Sequence, residues 1–165
     1  MSKPIRVGLL RLVDSAPIIV AKAHGLFREQ GIDVQISIEP SWSNIADKLT
    51  YGILDAAVML PPLARASCAG LRGPKARLVV PMSLSQGGNT IVASNQAAAS
   101  LTDGGSQPRL RLLDWLRTQP ARPRFAVVHA FSTHNLLLRY WLASGGVDPD
   151  RDIETVVIPP ENVEI

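Results

Sequence analysis

The sequence has a single cysteine and no long apolar run. Cys68 cannot form an internal disulfide, which is compatible with a reducing compartment, and its place in an apolar pattern predicts that it packs inside a helix. Arg, Asp and Lys interrupt every apolar stretch before it reaches the roughly 18 residues that a membrane helix needs. The sequence therefore predicts no membrane span.

Motifs for enzymatic chemistry are also absent. The chain has no GxxxxGK[ST] loop, no GxGxxG after a strand, no GxSxG elbow and no HExxH. His24, His129 and His134 do not have metal-ligand spacing with Cys68. These absences predict a protein that is not an enzyme and that uses no metal and no cofactor.

Charge is not concentrated in one stripe, although the net charge is +3 with 17 basic residues. The cluster from Arg109 to Arg124 lies among prolines without interleaved aromatics, so direct nucleic-acid binding is not expected. Arg6 and Arg11 interrupt what would be the apolar region of a secretory signal. The prediction is a cytoplasmic protein, or a periplasmic or membrane-associated one if a leader has been removed.

Short apolar runs alternate with helical patterns along most of the chain, which predicts an α/β protein with a parallel sheet. Residues 95–107 are rich in Ala, Ser, Gly and Asp and read as a loop. This loop divides the chain into a first lobe, 1–94, and a second, incomplete lobe, 95–165. The predicted strands are 5–12, 33–38, 56–60, 77–84, 90–94, 125–128 and 153–158.

Polar residues follow several of these strands, where open α/β sheets bind ligands, and we expect them to converge on one cleft. The helix that begins at Thr133 presents free backbone N–H groups to an anion, and His134 adds a donor that is positively charged when protonated. Trp42 supplies an indole N–H, Asn89 an amide, and Gly88 a close backbone approach. Further candidate contacts lie after the first strand, at Asp14 and Ser15.

Structural explanations compete with each of these assignments. His134 and Asp14 are also suited to capping helices, Trp42 to filling space beside a strand end, and Gly87-Gly88 to a plain turn. Acidic residues near strand ends, Glu39 among them, are better explained as caps and surface charges. Trp115 and Trp141 lie in apolar helical patterns and are predicted to be core or interface residues.

Several segments resemble the nitrate- and bicarbonate-binding branch of the type II periplasmic-binding-protein fold. Gly25-Leu26-Phe27 and Gly52-Ile53-Leu54-Asp55-Ala56 occur across many receptors of that fold, whereas Pro40-Ser41-Trp42 and Ser132-Thr133-His134-Asn135 are narrower and resemble the oxyanion branch. The resemblance implies that Trp42, Asn89 and His134 contact the anion. Some nitrate receptors have Gln where this chain has Asn89, which leaves open whether the ligand is nitrate, nitrite or bicarbonate.

The same resemblance implies a solute-binding protein for a small oxyanion, with nitrate the first expectation. Its partner would be the permease of an ABC transporter or, for a cytoplasmic sensor, an RNA-binding antiterminator. The family has a second half that this sequence does not contain. Two alternatives follow: a truncated interaction module that binds no ligand, and an enzyme acting on a thiamine precursor on the same fold.

Overall fold

The computed structural model describes residues 3–101 and 108–162. The chain forms two compact units, Met1–Gly87 (unit 1) and Gly88–Ile165 (unit 2), whereas the sequence placed the boundary after Ser94. Each unit contains a parallel sheet and helices, which confirms the predicted α/β class. In the part of the chain described, no helix is both long and apolar enough to cross a membrane.

The sheet of unit 1 has three parallel strands, with β1 at its centre, in the order β2-β1-β3. A Cβ built on Gly8 in the central strand would lie 2.4 Å from Leu54 Cδ1. Glycine at this position therefore lets the chain before the third strand approach the sheet closely. The strands are β1 (Ile5–Leu9), β2 (Val34–Ile38) and β3 (Ala56–Ala57).

Local interactions define two of the helix ends in unit 1. Ser41 Oγ accepts a hydrogen bond of 3.1 Å from the N–H of Asn44, as an N-cap should. Gly70, with φ of 76°, ends the fourth helix in the left-handed conformation. The helices are a 3-10 turn (Val13–Ser15), α1 (Ala16–Ala23), α2 (Leu26–Glu29), α3 (Trp42–Thr50) and α4 (Pro61–Ala69).

Two predicted strands are wrong, because residues 77–84 and 90–94 form no strand in the structure. Val79 and Val80 are 88% and 65% exposed, so this apolar run lies on the surface. An apolar run becomes a strand only when a neighbouring strand pairs with it. Among the described residues, no strand pairs with either segment.

Unit 2 has two parallel strands, β4 (Arg124–Val127) and β5 (Glu154–Val157), paired from Arg124↔Glu154 to Val127↔Val157. Residues 95–101, predicted as loop, are helical, and residues 102–107 lie outside the described part of the chain. Ser94 Oγ accepts from the N–H of Ala97, 3.3 Å away, and so begins that helix. The helices are α5 (Asn95–Leu101), α6 (Pro108–Thr118), α7 (Thr133–Ser144) and a 3-10 turn (Pro160–Asn162).

Unit 2 has a continuous core between α6, α7 and its two strands. Trp115 and Trp141 are partly buried and pack against this core, which confirms the structural role predicted for both. Leu142 and Ile153 are almost completely buried within it. The other core residues are Leu112, Leu113, Leu116, Val127, Leu138 and Val147.

Cys68 lies on α4, as predicted, but the prediction that it packs there is wrong. Cys68 is exposed, whereas Leu63, Ala64, Ala66 and Ser67 on the same helix are buried. The buried residues recur at the three- to four-residue spacing of one helix face, and Cys68 falls beside that face.

Candidate functional site

The N-terminus of α7 is built by a buried serine. Ser132 is fully buried with extended backbone angles, and its Oγ accepts a hydrogen bond of 3.2 Å from the N–H of Asn135. Its carbonyl oxygen accepts from the N–H of Leu136 at 3.1 Å. The helix therefore starts from a rigid cap, at the position that the sequence indicated.

This cap leaves two backbone donors at the helix start. Among the described residues, the N–H groups of Thr133 and His134 have no hydrogen-bond partner, as is usual for the first turn of a helix. The twelve residues of α7 add a partial positive charge at the same end. Two adjacent N–H groups at a positive helix end suit an anionic oxygen.

His134 is half-buried beside these donors, and its ring orientation is set by a backbone contact. The N–H of Val128 donates to His134 Nε2 over 3.3 Å, so the ring proton of the neutral form lies on Nδ1. Burial lowers the pKa of His134 below its ordinary value. The sequence allowed a cationic His134, but burial favours a neutral ring that donates through Nδ1.

Asn135, also at this helix start, was not singled out from the sequence as a separate contributor. It is buried, and its Nδ2 donates to the carbonyl oxygen of Ala130 over 2.7 Å. Asn135 thereby ties the loop after β4 to the first turn of α7. The capping bond uses the backbone N–H of residue 135 and depends only on Ser132, and the side-chain contact to Ala130 leaves no local sequence signal.

Trp42 is the first residue of α3 in unit 1, directly after the Ser41 cap. The residue is only 3% exposed, and its Nε1 is buried without a partner among the described residues. A buried N–H that donates to nothing costs about 1–3 kcal/mol. Trp42 is thus packed inside unit 1 with an indole donor that has no partner among the described residues.

Asp14 and Ser15 lie in the 3-10 turn after β1. Ser15 is fully buried, and its Oγ donates to the carbonyl oxygen of Leu10 over 2.9 Å, so its only hydroxyl proton is already used. Asp14 Oδ1 is buried and accepts from no described residue. Burial raises the pKa of Asp14, against smaller opposing contributions from hydrogen bonds with Ser15 and with its own backbone.

Gly88 and Asn89 lie in a segment outside any helix or strand, and both are exposed. Gly88 has φ of 80°, and a Cβ built there would meet nothing within 4 Å. The glycine is therefore required by its left-handed backbone and not by a close neighbour. Within their unit, neither residue is held by a described side-chain hydrogen bond.

An ion pair near Trp42 was missed from the sequence, and the prediction that Glu39 is a cap or surface charge is wrong. Glu39 is 4% exposed, and its carboxylate contacts Lys48 Nζ at 2.9 and 2.8 Å and Ser37 Oγ at 2.7 Å. Burial by itself raises the pKa of Glu39, but the bonds from Lys48 and Ser37 outweigh it and hold the pKa below its usual range. The pair connects the end of β2 to α3.

The predicted residues fall into two groups. Thr133 and His134 meet at one helix end in unit 2, and Asp14 and Trp42 follow two neighbouring strands in unit 1. Gly88 and Asn89 belong to the first residues of unit 2. Within residues 3–101 and 108–162, no group of three or more His, Cys, Asp or Glu side chains is placed to hold a metal ion.

Comparison with known proteins shows which sequences the chain resembles. A model of the NMT1-like family matches residues 1–164. The chain is 38% identical to the nitrate import ATP-binding protein NrtC of Synechocystis over 93% of its own length and 23% of that protein. It is 29% identical to the bicarbonate-binding protein CmpA of Synechococcus elongatus, over 95% of its own length and 36% of that protein.

A solved structure shows that the similarity extends to the fold. The periplasmic nitrate-binding protein NrtA of Synechocystis PCC 6803 superposes with a TM-score of 0.71 at 25% identity, covering 97% of this chain and 42% of that one. The likeness confirms the predicted type II periplasmic-binding-protein fold and the resemblance to its nitrate and bicarbonate branch. The chain spans less than half the length of each of these relatives.

Proposed function

This chain belongs to the NMT1-like family, and from that premise we propose that it takes part in binding a small planar oxyanion, of the nitrate and bicarbonate class, for an ABC uptake system. The names of its relatives place nitrate import and bicarbonate binding among the activities of similar proteins. Nitrate is the member of the class that the sequence favoured. The role as a cytoplasmic sensor with an antiterminator partner stays a prediction.

The start of α7 carries this proposal. Ser132 uses the N–H of Asn135 for its cap and leaves those of Thr133 and His134 pointing out of the helix end. A neutral His134 adds an Nδ1–H, because Nε2 is occupied by Val128. Three uncharged donors at a positive helix end stabilise a monovalent anion without a cationic side chain.

The geometry of His134 also weighs against the enzyme alternative. A general base needs a free lone pair, and the one on Nε2 already accepts a backbone N–H. Binding of ATP, which appears in the name of one relative, has no counterpart here because the chain lacks the GxxxxGK[ST] loop. Ligand binding is therefore the chemistry that these residues serve.

The sharpest test removes one backbone donor without removing the helix. Thr133 is the first residue of α7, where proline is tolerated, and Ser132 before it has the extended angles (φ −100°, ψ 149°) that proline requires. Thr133→Pro should leave stability unchanged and weaken nitrate or bicarbonate binding by about 10-fold, the effect of one charge-assisted hydrogen bond. Isothermal titration calorimetry on the chain measures the affinity.

Thr133→Ala is the matched control, because it removes the hydroxyl and keeps the N–H. Equal affinities of the Pro and Ala variants would overturn the role of the helix start. His134→Ala tests the side-chain donor at the same helix end, with Trp115→Phe as a control that changes a side chain in the core of unit 2. If neither anion binds the unmodified chain, the proposed function itself is wrong.

A further inference from the structure

The loop that connects β4 to α7, residues 128–132, contains a second buried histidine. His129 is only 9% exposed and lies just after the end of β4. The sequence predicts no role for it. Because α7 begins directly after this loop, the path of residues 128–132 determines where the N–H groups of Thr133 and His134 lie.

His129 closes a tight turn with its backbone and with its ring. Its carbonyl oxygen accepts a hydrogen bond of 3.1 Å from the N–H of Ser132, which closes a β-turn over residues 129–132. Its ring Nδ1 accepts a second bond, of 3.0 Å, from the N–H of Phe131 inside the turn. Aspartate and asparagine make the same contact to the residue two positions on when they begin such turns. His129 therefore does with a ring nitrogen what those residues do with an oxygen.

The ring of His129 also makes a contact that is independent of this hydrogen bond. The centroids of the His129 and Phe131 rings lie 6.1 Å apart, with the ring planes tilted by 35°. This separation is within the range of favourable aromatic pairs. Substitutions can therefore remove the ring contact and keep the acceptor, or the reverse.

The residues on either side of His129 are bonded to the first turn of α7. The N–H of Val128 donates to His134 Nε2 over 3.3 Å, and the carbonyl oxygen of Ala130 accepts from Asn135 Nδ2 at 2.7 Å. Neutral His134 therefore carries its ring proton on Nδ1, whereas neutral His129, whose Nδ1 is an acceptor, carries it on Nε2. Two histidines of opposite tautomer thus hold one short loop.

We infer that His129 is a positioning residue for the anion site: its Nδ1 stabilises the turn that places the ring of His134 and the N–H groups of Thr133 and His134. The inference rests on the proposed function. Ser132 both closes the turn and caps α7, so a change in the turn is passed directly to these three donors. His129 acts through the loop and does not need to touch the anion.

Two substitutions separate the acceptor from the ring. His129→Asn keeps an acceptor for the N–H of Phe131 and removes the ring, whereas His129→Phe keeps a ring and leaves that buried N–H unpaired. Calorimetry with nitrate and with hydrogencarbonate should show a loss of affinity of at least about 10-fold for His129→Phe, the effect of one misplaced donor. His129→Asn should retain most of the affinity, although the lost ring contact should lower its melting temperature.

The two variants also show how the inference could fail. Equal losses of affinity would overturn it, because they would mean that the ring itself packs against the site or contacts the anion. Full affinity in His129→Phe would overturn it as well, and would leave the proposed function intact. Binding of neither anion by the unmodified chain would remove the proposed function and this inference with it.

A second measurement needs no ligand. Ring nitrogen chemical shifts distinguish a proton on Nδ1 from one on Nε2, and at a pH of about 8, where histidine rings are neutral, they should show opposite tautomers for His129 and His134. His129→Asn should leave the tautomer of His134 unchanged, and His129→Phe should shift it towards a mixture. The same tautomer in both histidines of the unmodified chain, or an unchanged His134 in His129→Phe, would overturn the inference.

Discussion

Both units begin a helix with a serine cap, but they differ in how well the apolar residues of their helices are covered. In each, a serine caps the helix that follows a strand: Ser41 before α3 and Ser132 before α7. In unit 2, α7 buries Leu138 and Leu142 in a continuous core. In unit 1, α1 is almost entirely apolar, yet none of its residues is buried.

This difference shows that an apolar sequence allows a segment to be buried but does not determine whether another segment packs against it. Val79, Val80 and Met82 of unit 1 are exposed for the same reason as α1. Exposed apolar surface is common in folded proteins, but a contiguous set is more informative than single residues. Unit 1 has a core of its own, in which Leu9, Ile45 and Leu63 are completely buried, but α1 contributes no buried residue to it.

The largest expected effect comes from truncating the core of unit 2. Leu142→Ala removes a completely buried side chain and should lower the free energy of unfolding by about 2–5 kcal/mol. Val20→Ala on α1 of unit 1, which is 50% exposed, should change it by less than about 0.5 kcal/mol. Urea unfolding measures both, and losses of similar size would contradict the contrast between α7 and α1.

A smaller effect is expected where unit 1 is tightly packed. Gly8→Ala places a methyl group 2.4 Å from Leu54 Cδ1 and should cost about 1–3 kcal/mol in overpacking. Leu54→Ala creates space for that methyl group, so the double variant should lose less stability than the sum of the single ones. Additive losses in a urea double-mutant cycle would show that the two residues do not compete for space.

The shared caps provide a direct comparison between the units. Ser41→Ala and Ser132→Ala should each cost about 1 kcal/mol, because each leaves a backbone N–H of the first turn unpaired. Ser132 is the more buried of the two, so its replacement should cost more. Thermal unfolding of both variants tests the ranking, which a larger loss for Ser41→Ala would reverse.

The smallest expected effect is the pH dependence due to His134. Its folded-state pKa is lowered by burial, so as pH falls past the ordinary histidine value of about 6.5 the unfolded chain takes up a proton first. Stability due to this group is complete above that value and is lost as pH falls towards the folded-state pKa. Melting temperatures measured through this range should fall less for His134→Gln, and identical slopes would refute the assignment.

Local signals in the sequence predicted most of the elements. Ser41, Ser132 and Gly70 mark helix ends through bonds or backbone angles within a few residues. The strand predicted at 77–84 failed because pairing depends on a neighbour that the run itself does not encode. The helix Asn95–Leu101 was missed because its Asn and Ser read as loop, whereas its alanines favour helix.

The candidate site was predicted unevenly for the same reason. The start of α7 could be predicted because the capping residue Ser132 and the two backbone donors, Thr133 and His134, are consecutive in sequence. The Glu39–Lys48 pair joins a strand end to the next helix. Whether Trp42 Nε1 and Asp14 Oδ1 have hydrogen-bond partners depends on which residues the fold packs around them. Such properties arise from packing and have no counterpart in a pattern of residue types.

The exposed thiol of Cys68 makes the chain convenient for spectroscopy. It is the only cysteine of the sequence, and it lies on α4 outside the buried face of that helix. A maleimide dye would therefore attach at one defined point of unit 1 without any substitution in the core. Paired with a second label introduced in unit 2, it would report by energy transfer how an added anion changes the separation of two marked points.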